Sequence, residues 1–336
     1  MNLLGEDWPV FGWSDDMRLA LASARRRDRA VALATIVALE GSAPRHVGTQ
    51  MVLDGAQATG HFSGGCVEAD LANHAARVVH GDEPALLTYG ANSPWLDIRL
   101  VCGSRMQVLV ERIAPDDPAI ASLLDLAARR IPALFVTDGL YRTATADDGS
   151  SRLSFTGQPL RLELPYEPPA RMVVVGGDPT ALAIARLAAQ SGFETILLRP
   201  DGPGSPPPFD IADYRRGAAA AELEAIAPDR WTALAIAIHE PELEHRLLEI
   251  ALRGEAGYVG VLGAAARVPA RRARLEQAGL CAGQVGRLRA PMGLVTCGKS
   301  PWEVAVAVMA EVLHLRAERR LDAASSDRAT IRAAIR

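Results

Sequence analysis

Eleven residues, Gly60 to Asp70 (Gly-His-Phe-Ser-Gly-Gly-Cys-Val-Glu-Ala-Asp), place a thiol, an imidazole and two carboxylates among three glycines. The pattern predicts an extended run closing at His61 and Phe62, a turn at Ser63-Gly64-Gly65 and a helix from Cys66 to Val79. A helix start exposes N–H groups and the positive end of a dipole. Ser63, Gly64 and Gly65 are therefore candidates to cradle an anion, and Cys66, in the first turn, is a candidate to ionise. A plainer reading is open on the same residues: Cys66 is a small buried hydrophobe, and the glycines only make a tight turn.

Other residues carry related chemistry. In Gly41-Ser42-Ala43-Pro44-Arg45, between two expected strands, Ser42 and Arg45 are groups suited to a phosphate or carboxylate. Cys102 precedes Gly103 at an expected strand edge. Spacing does not join His61, Cys66 and Cys102, and such a set would lack a fourth ligand, so a resident tetrahedral metal is not expected.

In the second half, Gly176-Gly177-Asp178-Pro179-Thr180-Ala181 approaches the dinucleotide fingerprint, but Asp178 stands where the second glycine should admit a pyrophosphate. Asp178-Pro179 reads as an N-cap followed by a first-turn proline. Arg199 stands where an acid for a ribose is expected, so the segment keeps Rossmann topology and speaks against NAD. Gly293 to Ser300 satisfies the P-loop pattern, yet the residues before it are polar and proline-interrupted, and Ser300-Pro301 reads as a helix cap. Lys299 is the single lysine among 36 basic residues, which suggests a need for a compact ammonium or the chance survival of one surface lysine.

The elements that must position these groups fall into two patterns. Through Arg112 the chain alternates a helix (14–27), short strands and the Cys66 helix. From Arg171 strands and helices alternate strictly, which is the pattern of a doubly wound sheet with ligands at the strands' carboxyl ends. The expected fold is α/β, an N-terminal mixed α/β domain followed by a Rossmann-like doubly wound parallel-sheet domain. Residues 1–115 form the first domain, 116–168 a connecting segment with short strands, 169–318 the Rossmann-like domain and 319–336 a polar tail.

Composition narrows the classes. The chain has 336 residues, 49% hydrophobic and 5% aromatic, with a net charge of −4, so no basic surface is offered to a nucleic acid. No apolar run approaches the roughly 18 residues of a membrane span, and the N-terminus lacks secretory features, so a cytoplasmic location is expected. The four cysteines form no Cys-x-x-Cys pair and are expected as free thiols.

Gly41 to Arg45, Gly60 to Glu68, Cys102-Gly103, Val173 to Gly177, Ile238-His239, Tyr258 to Gly263 and Pro291 through Glu311 together resemble the XdhC/CoxI family, accessory proteins that mature molybdenum hydroxylases such as xanthine dehydrogenase. The chain departs from the family pattern at Asp178-Pro179, at Arg199 and at Val295-Thr296-Cys297, while Lys299-Ser300-Pro301 matches a family Lys-Thr-Pro. The resemblance implies a non-enzymatic chaperone, often a dimer. Such a protein binds molybdenum cofactor (plain or dinucleotide), protects it during sulfuration by a cysteine desulfurase and hands it to a hydroxylase apoprotein. It further implies cofactor-binding roles for Ser42, Arg45, His61, Ser63, Gly64, Gly65, Cys66, Glu68, Cys102, Gly176, Gly177, His239 and Lys299, with Cys66 the soft ligand toward metal. The alternative is an NAD(P)-dependent oxidoreductase with His239 or Lys299 as proton donor. A nucleoside triphosphatase using Lys299 ranks third.

Overall fold

The computed structural model describes residues 15–41, 43–55, 57–63, 65–90, 105–294 and 298–334, with the side chains of Gln57, Cys66 and 320–334 outside the description. The chain divides into two compact units, Met1–Pro168 and Pro169–Arg336.

The first unit runs α1 (Arg18–Arg26), β1 (Val31–Glu40), β2 (Gln50–Asp54), β3 (Gln57–Thr59), α2 (Cys66–Val79), β4 (Ala85–Gly90), β5 (Arg105–Ile113), α3 (Pro118–Ala128), β6 (Ala133–Thr137), β7 (Arg142–Ala146), β8 (Ser154–Gly157) and β9 (Leu160–Tyr166). A five-stranded sheet is ordered β3-β2-β1-β5-β4, all neighbours antiparallel. β1 is apolar on both faces, and its alternation explains why. Ala32, Ala34 and Ile36 join Val67 and Leu71 of α2 in one core. Val31 and Leu33 face the opposite way, onto Leu21 of α1, Ile120 of α3 and Phe135 of β6.

The segment expected as a connector is α3 and a four-stranded sheet, β7-β6-β9-β8, sharing that second core. Its short strands look polar because only alternate residues face inward. A buried charge cluster ties it to the main sheet. Glu111 Oε2 accepts from Thr137 Oγ1 at 2.8 Å and Arg142 Nε at 3.0 Å, and Arg142 also donates to Asp117 Oδ2 at 2.6 Å. Asp117 Oδ1 in turn caps α3 through the Ala119 and Ile120 N–H groups. Burial holds the Glu111 carboxyl above its ordinary range, with Arg142 opposing it.

The second unit runs β10 (Arg171–Gly176), α4 (Pro179–Gln190), β11 (Glu194–Leu198), β12 (Asp213–Arg215), α5 (Ala219–Ile226), β13 (Thr232–Ala237), α6 (Pro241–Arg253), β14 (Tyr258–Val261), α7 (Val268–Gln277), α8 (Ala282–Gly286), β15 (Leu288–Arg289) and α9 (Pro301–Ala334). The six strands are parallel in the order β12-β11-β10-β13-β14-β15. Residues of α4 and α9 cover one face, and α5, α6, α7 and α8 cover the other. The order reverses between β10 and β13, which makes their carboxyl ends the switch point where a Rossmann sheet opens a crevice.

Residues 319–336 were expected as a polar tail, yet α9 runs on to Ala334. Alanine and arginine with no glycine or proline favour that continuation. Among the described residues, no helix is long and apolar enough to cross a membrane.

Candidate functional site

β3 leads into the glycine turn through Gly60. Its φ of +90° disfavours a side chain, and a Cβ there would stand 2.7 Å from the Gln50 carbonyl oxygen, so the backbone lies flush on β2. Phe62 is buried in the α2 core and pins the turn from below.

One carboxylate organises everything that follows. Glu68 Oε1 accepts from the N–H of Phe62 at 2.8 Å and of Ser63 at 2.7 Å, and Oε2 accepts from Ser63 Oγ at 2.7 Å and the Gly65 N–H at 2.8 Å. Ser63 Oγ also accepts from the Val67 N–H at 3.4 Å. This is the glutamate half of a capping box: Glu68 at the third helical position accepts from the N-cap Gly65 N–H, glycine has no side chain to return the bond, and the Ser63 hydroxyl serves the helix start instead. The free N–H groups that sequence reasoning offered to an external anion are thus satisfied from within at Phe62, Ser63 and Gly65. The missed signal was the three-residue spacing from Gly65 to Glu68.

Cys66 is the first residue of α2, as expected, and its side chain lies outside the description. Ser42, Gly64 and Cys102 also lie outside the described residues. Arg45 forms an ion pair with Asp15, while its Nε is buried with no partner among the described residues. His61 is half-buried beside Phe62. Among the described residues, no cluster of three or more His, Cys, Asp or Glu side chains could hold a metal.

A second cluster went unread in the sequence. Tyr89, fully buried at the end of β4, donates its hydroxyl to Asp70 Oδ2 at 2.9 Å, and His74 Nε2 lies 3.6 Å from the same oxygen. Burial, then the Asp70 contact, pushes the Tyr89 phenol well above its ordinary range. Asp70 and His74 follow Cys66 at successive four-residue steps of α2, a helical spacing that was legible.

In the second unit the switch point brings Gly176, Gly177 and His239 together. A Cβ on Gly176 would strike the Ala237 carbonyl of β13, and one on Gly177 would stand 2.5 Å from Arg199 Nε. Asp178 caps α4 as expected, Oδ1 accepting from the Ala181 N–H at 2.8 Å, with His239 Nε2 3.9 Å from Oδ2. The His239 side chain is 89% exposed.

Lys299 is exposed in the turn before α9. There Ser300 and Glu303 form the capping box, with Glu303 Oε2 accepting from the Ser300 N–H at 2.9 Å. Hydrogen bonds from the Ser300 hydroxyl, then from the Ser300 and Lys299 N–H groups, hold the Glu303 carboxyl below its usual range. The P-loop look-alike is committed elsewhere. The Gly293 N–H donates to Glu311 Oε2 at 2.8 Å, and the Leu294 N–H to the Ala307 carbonyl at 3.0 Å. Glu311 also receives the buried Tyr258 hydroxyl at 2.7 Å.

These features define a class: a two-unit α/β protein with a carboxylate-locked glycine–cysteine turn in one unit and a Rossmann-type parallel sheet in the other. A family model described as the XdhC Rossmann domain matches residues 172–312, and one described as the XdhC and CoxI family matches residues 24–90. The chain belongs to the XdhC/CoxI family.

It is 27% identical over 314 residues to the molybdenum cofactor insertion chaperone PaoD of Escherichia coli, covering 92% of each chain. A Bacillus subtilis protein described as a probable xanthine dehydrogenase component is 25% identical, with 84% of this chain and 92% of that protein covered. A Bacillus halodurans crystal structure described as a xanthine dehydrogenase superposes with a TM-score of 0.73 at 22% identity, over 90% of this chain and 96% of the other, and shows the same fold.

Proposed function

We propose that this protein is a maturation chaperone that carries molybdenum cofactor to a xanthine dehydrogenase-type apoprotein. The observation that supports this most strongly is the alignment, covering 92% of both chains, with a protein described as a molybdenum cofactor insertion chaperone. The cofactor here is cargo, not a resident group. Arg45, whose buried Nε has no partner among the described residues, suits the cargo's phosphate. Cys66 at the start of α2 is the soft atom toward molybdenum or its sulfur. Glu68 acts differently from the other candidate ligands: it holds the turn that presents Cys66. The finer reading places sulfuration by a cysteine desulfurase before hand-over, with a homodimer acting in the cytoplasm.

The test is purification under anaerobic conditions from a host that makes molybdopterin, with bound pterin measured by fluorescence after oxidation. Pterin should be retained by the native chain and reduced in Cys66→Ser, with the melting temperature kept. Absence of pterin from the native protein, or a Cys66→Ser variant that loses stability but not pterin, refutes the proposal.

A further inference from the structure

The edge of the second unit's sheet holds positive charge for which the structure gives no acidic partner. Arg199 follows β11 directly, and its stem is threaded between two glycines. A Cβ on Gly202 would stand 2.9 Å from both Arg199 Cγ and Cδ, and one on Gly177 would stand 2.5 Å from Nε. The guanidinium thus lies against the Gly176-Gly177 turn, half-buried, and among the described residues it makes no ion pair. Arg216 directly follows β12 as Arg199 follows β11, its Nε donating to the Gly202 carbonyl at 2.8 Å, again with no carboxylate partner among the described residues. Neighbouring Arg215 differs: Asp213 at 2.7 Å and Glu222 at 3.2 Å neutralise it.

Two unneutralised guanidiniums therefore flank Gly202 at the carboxyl edge of a parallel sheet, where ligands of this fold sit. The position after the second strand of such a sheet meets the ribose of a bound nucleotide. An acid there suits free hydroxyls, and an arginine there suits a 2′-phosphate. Asp178, capping α4 with its own carboxylate, occupies the place where a pyrophosphate would approach the helix. The site therefore favours the phosphorylated ribose end of a nucleotide over its diphosphate bridge.

We infer that Arg199, backed by Arg216, binds a nucleotide through a phosphomonoester on its ribose. This inference does not rest on the cargo reading, since the residues belong to the other unit.

The probes are adenosine 2′,5′-bisphosphate, 5′-AMP and inorganic phosphate, titrated calorimetrically into the full chain. The bisphosphate should bind about tenfold to a hundredfold more tightly than 5′-AMP, the ratio expected of a charge-assisted bidentate contact. Arg199→Ala should erase that ratio with an unchanged melting temperature, and Arg199→Lys should restore part of it. Equal binding of the two nucleotides, binding of none at millimolar concentration, or inorganic phosphate matching the bisphosphate would overturn the inference. So would an unchanged ratio in Arg199→Ala.

Discussion

Replacing Glu68 by glutamine separates a carboxylate that builds a turn from one that binds a ligand. Among the described residues, Glu68 accepts at least two hydrogen bonds on each oxygen, including the N–H groups of Phe62, Ser63 and Gly65. Glutamine must put an NH₂ on one side. Its cheaper orientation replaces Oε2, where the Ser63 hydroxyl can rotate to accept but the Gly65 N–H is left facing a donor.

That orphan costs about 1–3 kcal/mol, and the remaining bonds lose charge assistance, for a total of roughly 2–4 kcal/mol. For a unit of this size the melting temperature should fall by roughly 4–16 °C. Thermal unfolding by circular dichroism measures it, and hydrogen exchange should show the Gly65 amide losing protection. An unshifted transition with the amide still protected would refute the structural role and return Glu68 to the ligand set.

Other substitutions test separate parts of the fold. Arg142→Met removes the partner of two buried carboxylates and should cost about 3–5 kcal/mol at neutral pH by urea unfolding. Burial already raises the Glu111 carboxyl and Arg142 opposes that rise, so the variant's Glu111 sits higher still. The folded variant then takes up a proton where the unfolded chain has none, so its deficit must shrink as pH falls toward the ordinary Glu range; a deficit that grows would contradict the assignment. Gly60→Ala forces a Cβ against the Gln50 carbonyl at positive φ and should destabilise by at least about 1–3 kcal/mol, read as a shifted denaturation midpoint. Asp178→Ala should cost about 1 kcal/mol as a lost N-cap, measured in the same way, and a neutral outcome would show that Ala181 finds another acceptor.

The sequence carried the long elements well because their periodicity is strong. Helix α2 was legible at both ends, and the strict alternation after Arg171 announced the parallel sheet. The sheet of β6 to β9 was read as a connector because Thr143, Thr145 and Thr156 look outward while Phe135, Leu162 and Leu164 supply the core from only a few positions. β12 and β15, with three and two residues, are too short for any period to show. At the candidate sites, turn chemistry such as the Asp178-Pro179 cap could be read locally. The contact of Arg199 with Gly177 and the Tyr89 to Asp70 bond join residues about twenty positions apart, and nothing local encodes them.

The way Glu68 fills the glycine turn also fixes how that turn answers the surrounding solution. A tethered carboxylate competes with dissolved anions at an effective concentration that, for a short connection, is of millimolar order or above. On a rigid helix the preorganisation raises it further. Phosphate, sulfate or chloride in a buffer must displace a ligand that never diffuses away. The conformation of the Cys66 turn should therefore be indifferent to the identity of the salt, and the anions of a crowded cell should leave it in one state.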